Sequence, residues 1–199
     1  MTHVAIIDSG GANIASLIFA FDRLQTDVVL TDDAAVIQSA DRVLLPGVGA
    51  AKDAMTRLRS AGLVDVIREL TQPVLGICLG MQLLCDASEE EDVDCLGIIP
   101  GTSRHLSPST NHPVPNMGWC ETDMTSRHPI LGDLPNGSHF YYLHSYALPV
   151  STNTLATAIH DREFSAVIAK DNFVAAQFHP ERSSTAGAQL LRNFLGISP

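Results

Sequence analysis

Residues 73–84 read PVLGICLGMQLL, and the pattern predicts a strand, a tight bend and a helix in immediate succession. The first five residues form an apolar run typical of a buried strand, and the last six favour a short helix that begins directly after Cys78. Gly76 and Gly80 lie two positions before and after Cys78. A bend this sharp crowds both positions, so each must lack a Cβ atom, and it strains the backbone of Cys78 itself. We therefore expect Cys78 to project from the edge of a sheet.

Apolar runs of the same kind alternate with helical patterns throughout the first half of the chain. The predicted strands cover residues 4–7, 28–30, 42–45 and 73–77, and the predicted helices cover residues 14–24, 33–39 and 50–70, the last broken near Gly62. Strands that are apolar throughout and alternate with amphipathic helices indicate a parallel sheet with helices on both faces.

The second half has a different pattern. Residues 86–94 are acidic and are predicted to form a solvated loop, whereas residues 140–146, 166–170 and 174–178 read as strands. The final predicted helix covers residues 183–196. We interpret the later strands as antiparallel additions to the sheet. The whole pattern predicts one α/β domain over residues 1–199, built on a single mixed, mostly parallel, open sheet with helices on both faces.

Composition excludes several classes of function. Hydrophobic residues make up 45% and charged residues 17% of the 199 residues, which is typical of a globular chain. The 22 acidic and 12 basic residues give a net charge of −10, which disfavours nucleic acid and anionic membranes as partners. The sequence contains neither an apolar run long enough for a transmembrane helix nor a secretory signal pattern, so we expect a cytoplasmic protein. Free thiols are expected at all four cysteines, which are Cys78, Cys85, Cys95 and Cys120.

Cys78 is the candidate nucleophile, because the G-x-C-x-G pattern has the form of a nucleophile elbow with cysteine in place of serine. A thiol at the N-terminus of a helix lies at the positive end of the helix dipole, which favours the thiolate. The alternative reading is a small buried cysteine that packs beneath a helix, as free cysteines usually do.

A candidate base and its orienting group follow the last predicted strand, where residues 177–181 read QFHPE. Residues two apart on an extended segment face the same side, so His179 and Glu181 can both face a nucleophile at a neighbouring strand end. The carboxylate would hold the imidazole tautomer while the ring accepts the thiol proton. Alternatively, the histidine caps a strand and the glutamate is an ordinary surface residue.

Residues 46–49, PGVG, form a glycine-rich turn after another apolar strand. Open α/β sheets bind ligands at such strand ends, where a backbone N–H can stabilise an oxyanion together with the N–H of Leu79. An ordinary strand-to-helix turn is the alternative. Residues 10–13, GGAN, lack the dinucleotide-binding spacing, and the eight histidines form no metal-binding pattern, so neither a cofactor nor a metal is expected.

These motifs together resemble the class I glutamine amidotransferases, in which a Cys-His-Glu triad releases ammonia from glutamine. The resemblance rests on LPGVG (residues 45–49), PVLGICLGMQLL (73–84), SEE (88–90), MGW (117–119), FYYLHSY (140–146) and QFHPERS (177–183). It implies a flavodoxin-like architecture, with Cys78 as nucleophile, His179 as base and later acid, and Glu181 as the orienting carboxylate.

The resemblance also implies the substrate and oxyanion contacts. Val48 and Leu79 would supply the oxyanion N–H groups, and the Val48 peptide would turn before its N–H points inward. Glutamine would be bound by residues in four of the quoted segments, namely Gly47, Gln82, Glu90, His144, Ser145 and Tyr146.

Within that family, the sequence resembles the glutaminase subunits that serve imidazole glycerol phosphate synthesis in histidine biosynthesis. The implied partner is a (βα)8-barrel cyclase that receives the ammonia and makes imidazole glycerol phosphate and an aminoimidazole carboxamide ribotide. Positions near the implied interface are Asn13, Trp119, Tyr141 and Arg182. Two departures from the family pattern, Ala12 and Asn116, are expected on the same docking face.

Two other functions compete with this interpretation. One is a cysteine hydrolase of the same fold that needs no partner. The other is a binding module whose site is catalytically inactive, although the presence of all three triad residues argues against it.

Overall fold

A computed structural model of the protein describes residues 3–10 and 14–197. Its helices are α1 (Ile14–Asp22), α2 (Ala34–Ser39), α3 (Ala51–Ser60), α4 (Leu63–Arg68), α5 (Leu79–Leu83) and α6 (Ser184–Gly196). Its strands are β1 (Val4–Ile7), β2 (Val28–Thr31), β3 (Arg42–Gly47), β4 (Val74–Cys78), β5 (Cys85–Ser88), β6 (Val93–Asp94), β7 (Ile99–His105), β8 (Asn116–Met124), β9 (Ser138–His144), β10 (Tyr146–Ala147), β11 (Thr154–His160), β12 (Arg162–Lys170) and β13 (Phe173–Ala176). Across these two described ranges, no helix has the length and apolarity needed to span a membrane.

Nine strands form a large mixed sheet in the order β2-β1-β3-β4-β13-β12-β11-β8-β9. Strands β2 to β13 of this order pair in parallel, and strands β13 to β9 pair antiparallel. The predicted mixed α/β sheet is therefore confirmed, but antiparallel pairing is as extensive as parallel pairing. The reason is that β11, β12 and β13 follow one another through very short turns, which can join antiparallel strands only.

The prediction of a solvated acidic loop over residues 86–94 is wrong, because this segment contributes to a second sheet. Strands β5 and β6 form a hairpin inside a four-stranded sheet of order β10-β7-β5-β6. Five of its six acidic side chains are exposed, the exception being Glu90. The Ser88 hydroxyl is buried and accepts a hydrogen bond from Ser103 at 2.8 Å. The predicted strand over residues 140–146 is likewise divided, since β9 belongs to the large sheet and β10 to the small one.

Helices cover both faces of the parallel half of the sheet, as predicted. In β1, Ala5 and Ile7 pack in one core cluster with the buried residues of α2, α3, α4 and α5. Val4 and Ile6 point the other way and pack with α1 and α6. The fully apolar strand follows directly from this two-sided burial.

The bend at Cys78 has the strain that its glycines predict. Cys78 ends β4 with φ 54° and ψ −109°. Residues other than glycine rarely adopt a backbone conformation with positive φ. A Cβ atom on Gly80 would overlap the carbonyl oxygen of Leu45, and one on Gly76 would lie 2.9 Å from Leu84 Cδ1. Close contact between α5 and β3 therefore requires glycine at position 80.

Replacing Gly80 with alanine is expected to destabilise the fold by about 1–3 kcal/mol, because the added Cβ would push the start of α5 away from β3. Urea unfolding measures the effect. The matched control is Gly196→Ala, where a Cβ meets nothing within 4 Å, and it should change stability by less than about 1 kcal/mol. Equal effects of the two substitutions would contradict the steric argument.

Candidate active site

A cavity of about 310 Å³ opens where β3 and β4 end, at the carboxyl edge of the parallel strands. Ligands of open α/β sheets bind at this edge. Nine of the residues singled out in the sequence line the cavity, and they are Val48, Cys78, Leu79, Gln82, Glu90, His144, Ser145, Tyr146 and His179. Segments far apart in the sequence therefore meet around one space.

The Cys78 thiol lies at the inner wall of this cavity and is 6% exposed. Its S–H donates to the carbonyl oxygen of Leu143 at 3.6 Å, and the side-chain N–H of Gln177 approaches Sγ at 3.8 Å. The thiol is thus held between β9 and the segment after β13, at the N-terminus of α5.

His179 and Glu181 form a close buried pair beside the thiol. Nδ1 of His179 lies 2.9 Å from Oε1 of Glu181, and the two side chains are 9% and 6% exposed. Since the carboxylate occupies Nδ1, the opposite ring nitrogen is the one that interacts with Cys78. Glu181 does not line the cavity and lies behind the imidazole, so its contact with the site passes through His179.

The surroundings of His179 stabilise its protonated form. Burial lowers the pKa of the ring, but hydrogen bonds and charge interactions with Cys78 and Glu181 raise it. The net effect raises the pKa of His179 from 6.5 to about 10. The ring therefore carries a proton at neutral pH, which an acid catalyst requires, and its positive charge stabilises a neighbouring thiolate.

Val48 and Leu79 both line the cavity beside Cys78. Pairing of Gly47 with Cys78 in the sheet brings the start of the glycine-rich turn next to the thiol. Gly47 does not line the cavity. A Cβ there would lie 3.0 Å from Leu79 Cβ, so glycine allows the two segments to approach. Leu79 is the first residue of α5, where backbone N–H groups have no intrahelical partner.

Gln82 and Glu90 also line the cavity. The Gln82 side-chain N–H groups donate to the carbonyl oxygen of Tyr146 at 3.0 Å and to Gln177 Oε1 at 3.2 Å. These contacts leave its carbonyl oxygen as the group that can meet a ligand. Oε2 of Glu90 accepts from the backbone N–H of Ala51 at 2.9 Å, which fixes the acidic hairpin to the start of α3.

His144 lines the cavity together with Ser145 and Tyr146, and its side chain is buried. Its Nδ1 lies 2.8 Å from the carbonyl oxygen of Tyr146, and its Nε2 lies 3.1 Å from Nδ2 of Asn116. Burial lowers the pKa of His144 to about 4, so the ring is neutral at physiological pH. Two histidines at one site thus differ in charge, because His179 is protonated and His144 is neutral at physiological pH.

The residues predicted at a partner interface form an exposed cluster beside the cavity. The Trp119 ring is 53% exposed and meets the Tyr141 ring edge-on at 6.2 Å. The Arg182 guanidinium lies over the Tyr141 ring, 4.5 Å from the ring centroid. Asn13 and Ala12 lie outside the described residues. Asn116 was expected on the docking face, and that is wrong, because it is 3% exposed.

Sequence reasoning missed several residues of the site. Gly49, Pro115 and Leu143 also line the cavity, and Gln177 contacts both Cys78 and Gln82. Gln177 lies two residues before His179 in the QFHPE segment, and that nearness is the signal that could have found it. The extended conformation predicted for this segment is wrong beyond His179, because Pro180–Arg182 forms a short 3-10 helix that carries Glu181 back to the imidazole. Pro115 directly precedes β8 and Leu143 lies in β9. Neither residue type indicates a role in a site by itself.

Solved structures show that this architecture is shared. One crystal structure of a glutamine amidotransferase aligns with a TM-score of 0.75 at 16% identity, covering 97% of each chain. A glutamine amidotransferase from Thermotoga maritima aligns with a TM-score of 0.68 at 16% identity, covering 98% of this chain and 96% of that one. At these identities the likeness shows the fold alone.

The family assignment comes from the sequence comparisons. The model of the family "Glutamine amidotransferase class-I" matches residues 5–197. The imidazole glycerol phosphate synthase subunit HisH of Xanthomonas axonopodis pv. citri is 50% identical over 198 residues, covering 100% of this chain and 99% of the relative. Subunit HisH 2 of Legionella pneumophila is 48% identical over 194 residues, covering 98% of both. The chain therefore belongs to the class I glutamine amidotransferases and, within them, to the HisH subunits of imidazole glycerol phosphate synthase.

Proposed function

We propose that this chain hydrolyses glutamine to glutamate and ammonia with Cys78, His179 and Glu181, and passes the ammonia to a (βα)8-barrel cyclase subunit in histidine biosynthesis. The observation that carries the proposal is the meeting of a thiol and an imidazole at one cavity, with a carboxylate bound to the far side of the imidazole. The cavity volume of about 310 Å³ suits a small amino acid.

The first half of the reaction transfers the glutamyl group to sulfur. The Cys78 thiolate attacks the side-chain amide carbon of glutamine, and the backbone N–H groups of Val48 and Leu79 stabilise the tetrahedral oxyanion. His179 donates its proton to the departing nitrogen as the C–N bond breaks, so ammonia leaves and a γ-glutamyl thioester remains. The raised pKa of His179 supports this role, because the ring is protonated before substrate reacts.

The second half restores the enzyme. His179, now neutral, accepts a proton from water as the water oxygen attacks the thioester carbon, and the C–S bond breaks to release glutamate. The Cys78 thiolate and the His179 imidazolium are regenerated. Glu181 keeps the ring oriented throughout, because its Oε1 lies 2.9 Å from Nδ1.

Other residues that line the cavity supply contacts for the amino-acid end of glutamine. The Gln82 carbonyl oxygen and the Glu90 carboxylate are acceptors that suit the α-ammonium group. Backbone groups of His144, Ser145 and Tyr146 complete the contacts on the side of β9 and β10. We assign glutamine binding to these residues and to the turn that begins at Gly47.

A docked partner has a chemical purpose, because ammonia released into bulk water is protonated and lost as a nucleophile. The exposed cluster of Trp119, Tyr141 and Arg182 supports docking beside the base. The backbone carbonyl of Tyr141 accepts from the N–H of His179 at 2.9 Å, so this surface and the catalytic base share a hydrogen bond. The relatives' names identify them as subunits of a synthase.

Replacing Cys78 with alanine should abolish glutamine-dependent synthesis in the complex with the cyclase, while synthesis from added ammonium salts continues. The substitution removes the nucleophile but leaves the cyclase and its docking intact. A coupled assay with either nitrogen source measures both activities. Cys95→Ala, which removes a thiol outside the cavity, is the control and should retain both.

Loss of both activities in Cys78→Ala would make Cys78 structural and would contradict the proposal. The same assay tests for a partner-independent hydrolase. High glutamate release by the wild-type chain alone, with no increase on adding the cyclase and its substrate, would favour that alternative.

Replacing Glu181 with glutamine should lower kcat by roughly 10²-fold or more, because a neutral amide neither fixes the tautomer as firmly nor stabilises the imidazolium. The charge of Glu181 raises the pKa of His179, so its removal lowers that pKa. A group whose pKa is raised is fully protonated below its ordinary pKa and loses the proton as the pH rises through the raised value. For His179 the ordinary pKa is 6.5 and the raised pKa is about 10.

The alkaline limb of the glutaminase pH profile should therefore move to lower pH in Glu181→Gln. Glu163→Gln removes the same charge from an exposed position on β12 and should leave the profile unchanged. An unaltered alkaline limb in Glu181→Gln would contradict the assigned role of Glu181.

Replacing Trp119 with alanine should weaken binding of the cyclase subunit by about 2 kcal/mol or more, which corresponds to roughly 30-fold in Kd. In the wild-type complex the apolar surface of the exposed indole would be removed from water, and the substitution loses this contribution to binding. Isothermal titration with the cyclase measures the change. Val150→Ala, another exposed apolar residue at 47% exposure, is the control, and equal affinities of the two variants would remove Trp119 from the interface.

A further inference from the structure

A continuous chain of polar groups begins behind the cavity, passes through its wall and ends at the nucleophile. Asn116 contacts His144, and both His144 and Gln82 donate to the carbonyl oxygen of Tyr146. Gln82 also donates to Gln177, whose side-chain N–H approaches the sulfur of Cys78. Asn116 lies at the far end of this chain and does not line the cavity.

We propose that Asn116 is a positioning residue that holds His144 neutral, with its proton on Nδ1, and thereby fixes the wall of the glutamine site. The inference rests on the proposed function of that site and adds a residue that contacts neither substrate nor triad. Asn116 and His144 are directly paired across β8 and β9, so the contact is set by sheet register.

The hydrogen-bond partners determine the tautomer. The Tyr146 carbonyl can accept only, so Nδ1 of His144, 2.8 Å away, must carry a proton. In the neutral ring, Nε2 is then an acceptor, and Nδ2 of Asn116 at 3.1 Å donates to it. The amide orientation has independent support, because the Cys120 thiol donates to Asn116 Oδ1 at 3.5 Å. The amide is therefore fixed at both ends.

The neutral charge of His144 matters because of its neighbours. His160 and His179 are the titratable groups whose charges act on it, and both disfavour its protonated form. The Tyr142 and Phe164 rings pack against it at 5.7 and 5.1 Å, so its environment is largely apolar. A positive charge on His144 would repel the His179 imidazolium and oppose its role as acid.

The placement of His144 also controls the cavity wall. The Tyr146 carbonyl is shared by His144 and Gln82, so a shift of the imidazole moves the acceptor that orients the Gln82 amide. Misplacement of a site by about 1 Å can cost on the order of 10²-fold in rate. An amide at position 116 thus acts on glutamine binding from behind the wall.

Asn116→Asp is the direct test, because it keeps the shape of the side chain and replaces the N–H donor by a carboxylate oxygen. Nε2 would then need a proton to make the same contact, so the substitution should favour a doubly protonated His144. Ring ¹⁵N chemical shifts, assigned with His144→Phe, report the protonation state directly. Asn111→Asp makes the same chemical change in an exposed loop and is the control.

Wild type and Asn111→Asp should show a neutral ring with the proton on Nδ1 from pH 6 to 9, and Asn116→Asp should show a doubly protonated ring at pH 7. In the complex with the cyclase, Asn116→Asp should lose roughly tenfold to 10²-fold in glutaminase kcat/KM. Its pH profile should gain an ionisation near neutrality. Asn116→Leu removes the donor without adding charge, so it should lower kcat/KM while keeping the shape of the profile.

A neutral His144 in Asn116→Asp at pH 7, or kinetics within twofold of wild type with a superimposable pH profile, would overturn the proposal. Far-UV circular dichroism and thermal unfolding establish that each variant is folded. If the wild-type complex has no glutaminase activity, the proposed function fails, and the ¹⁵N shifts still decide whether Asn116 sets the state of His144.

Discussion

The site depends on one steric constraint, the close approach of α5 to β3 around Cys78. Gly80 lies against the carbonyl oxygen of Leu45 with no space for a Cβ, and Cys78 is held at φ 54° as a consequence. A thiol on an extended strand would point into one of the two cores. The strained bend instead directs it to the rim, where the segments after β3 and β13 and the end of β9 converge. The surrounding packed sheet supplies the free energy that holds the bend.

Burial and a few short contacts determine the protonation states of the two histidines near this thiol. His179 is paired with Glu181 and Cys78, which outweigh its burial and keep it protonated. His144 lies nearby in the same cavity wall, yet it is bonded to a carbonyl and an amide and stays neutral. Two imidazoles of the same intrinsic basicity are thus assigned different states by their hydrogen-bond partners. In a family of enzymes that release ammonia from an amide, one protonated ring beside one thiol is the arrangement that the chemistry needs.

Local sequence was sufficient where a local rule determined the geometry. The elbow follows from glycines two positions either side of Cys78. The contact between His179 and Glu181 was predicted, but the reason given for it is wrong, because Glu181 lies in a short 3-10 helix that follows His179 and not on an extended segment. Gln82 and Glu90 came from the family resemblance. No local pattern distinguishes Gln82 from its neighbours on α5, and the position of Glu90 between β5 and β6 depends on how the small sheet packs. The acidic hairpin was misread because its exposed carboxylates dominate the sequence, and the buried positions Cys85 and Ser88 are three residues apart, so they show no two-residue alternation. Its parallel partner β7 is brought there by long-range pairing. Asn116 was misplaced for a related reason, because its burial depends on the register of β8 against β9.

If Cys78, activated at this rim, is the nucleophile for glutamine, an electrophilic analogue of glutamine should be captured covalently on its sulfur. The complex with the cyclase would be treated with a diazo-ketone analogue of glutamine and analysed by peptide mass mapping. One label per chain is expected, on Cys78, and added glutamine should slow the labelling. Label on Cys120 or another residue, or a rate at Cys78 that glutamine does not affect, would contradict this role of Cys78.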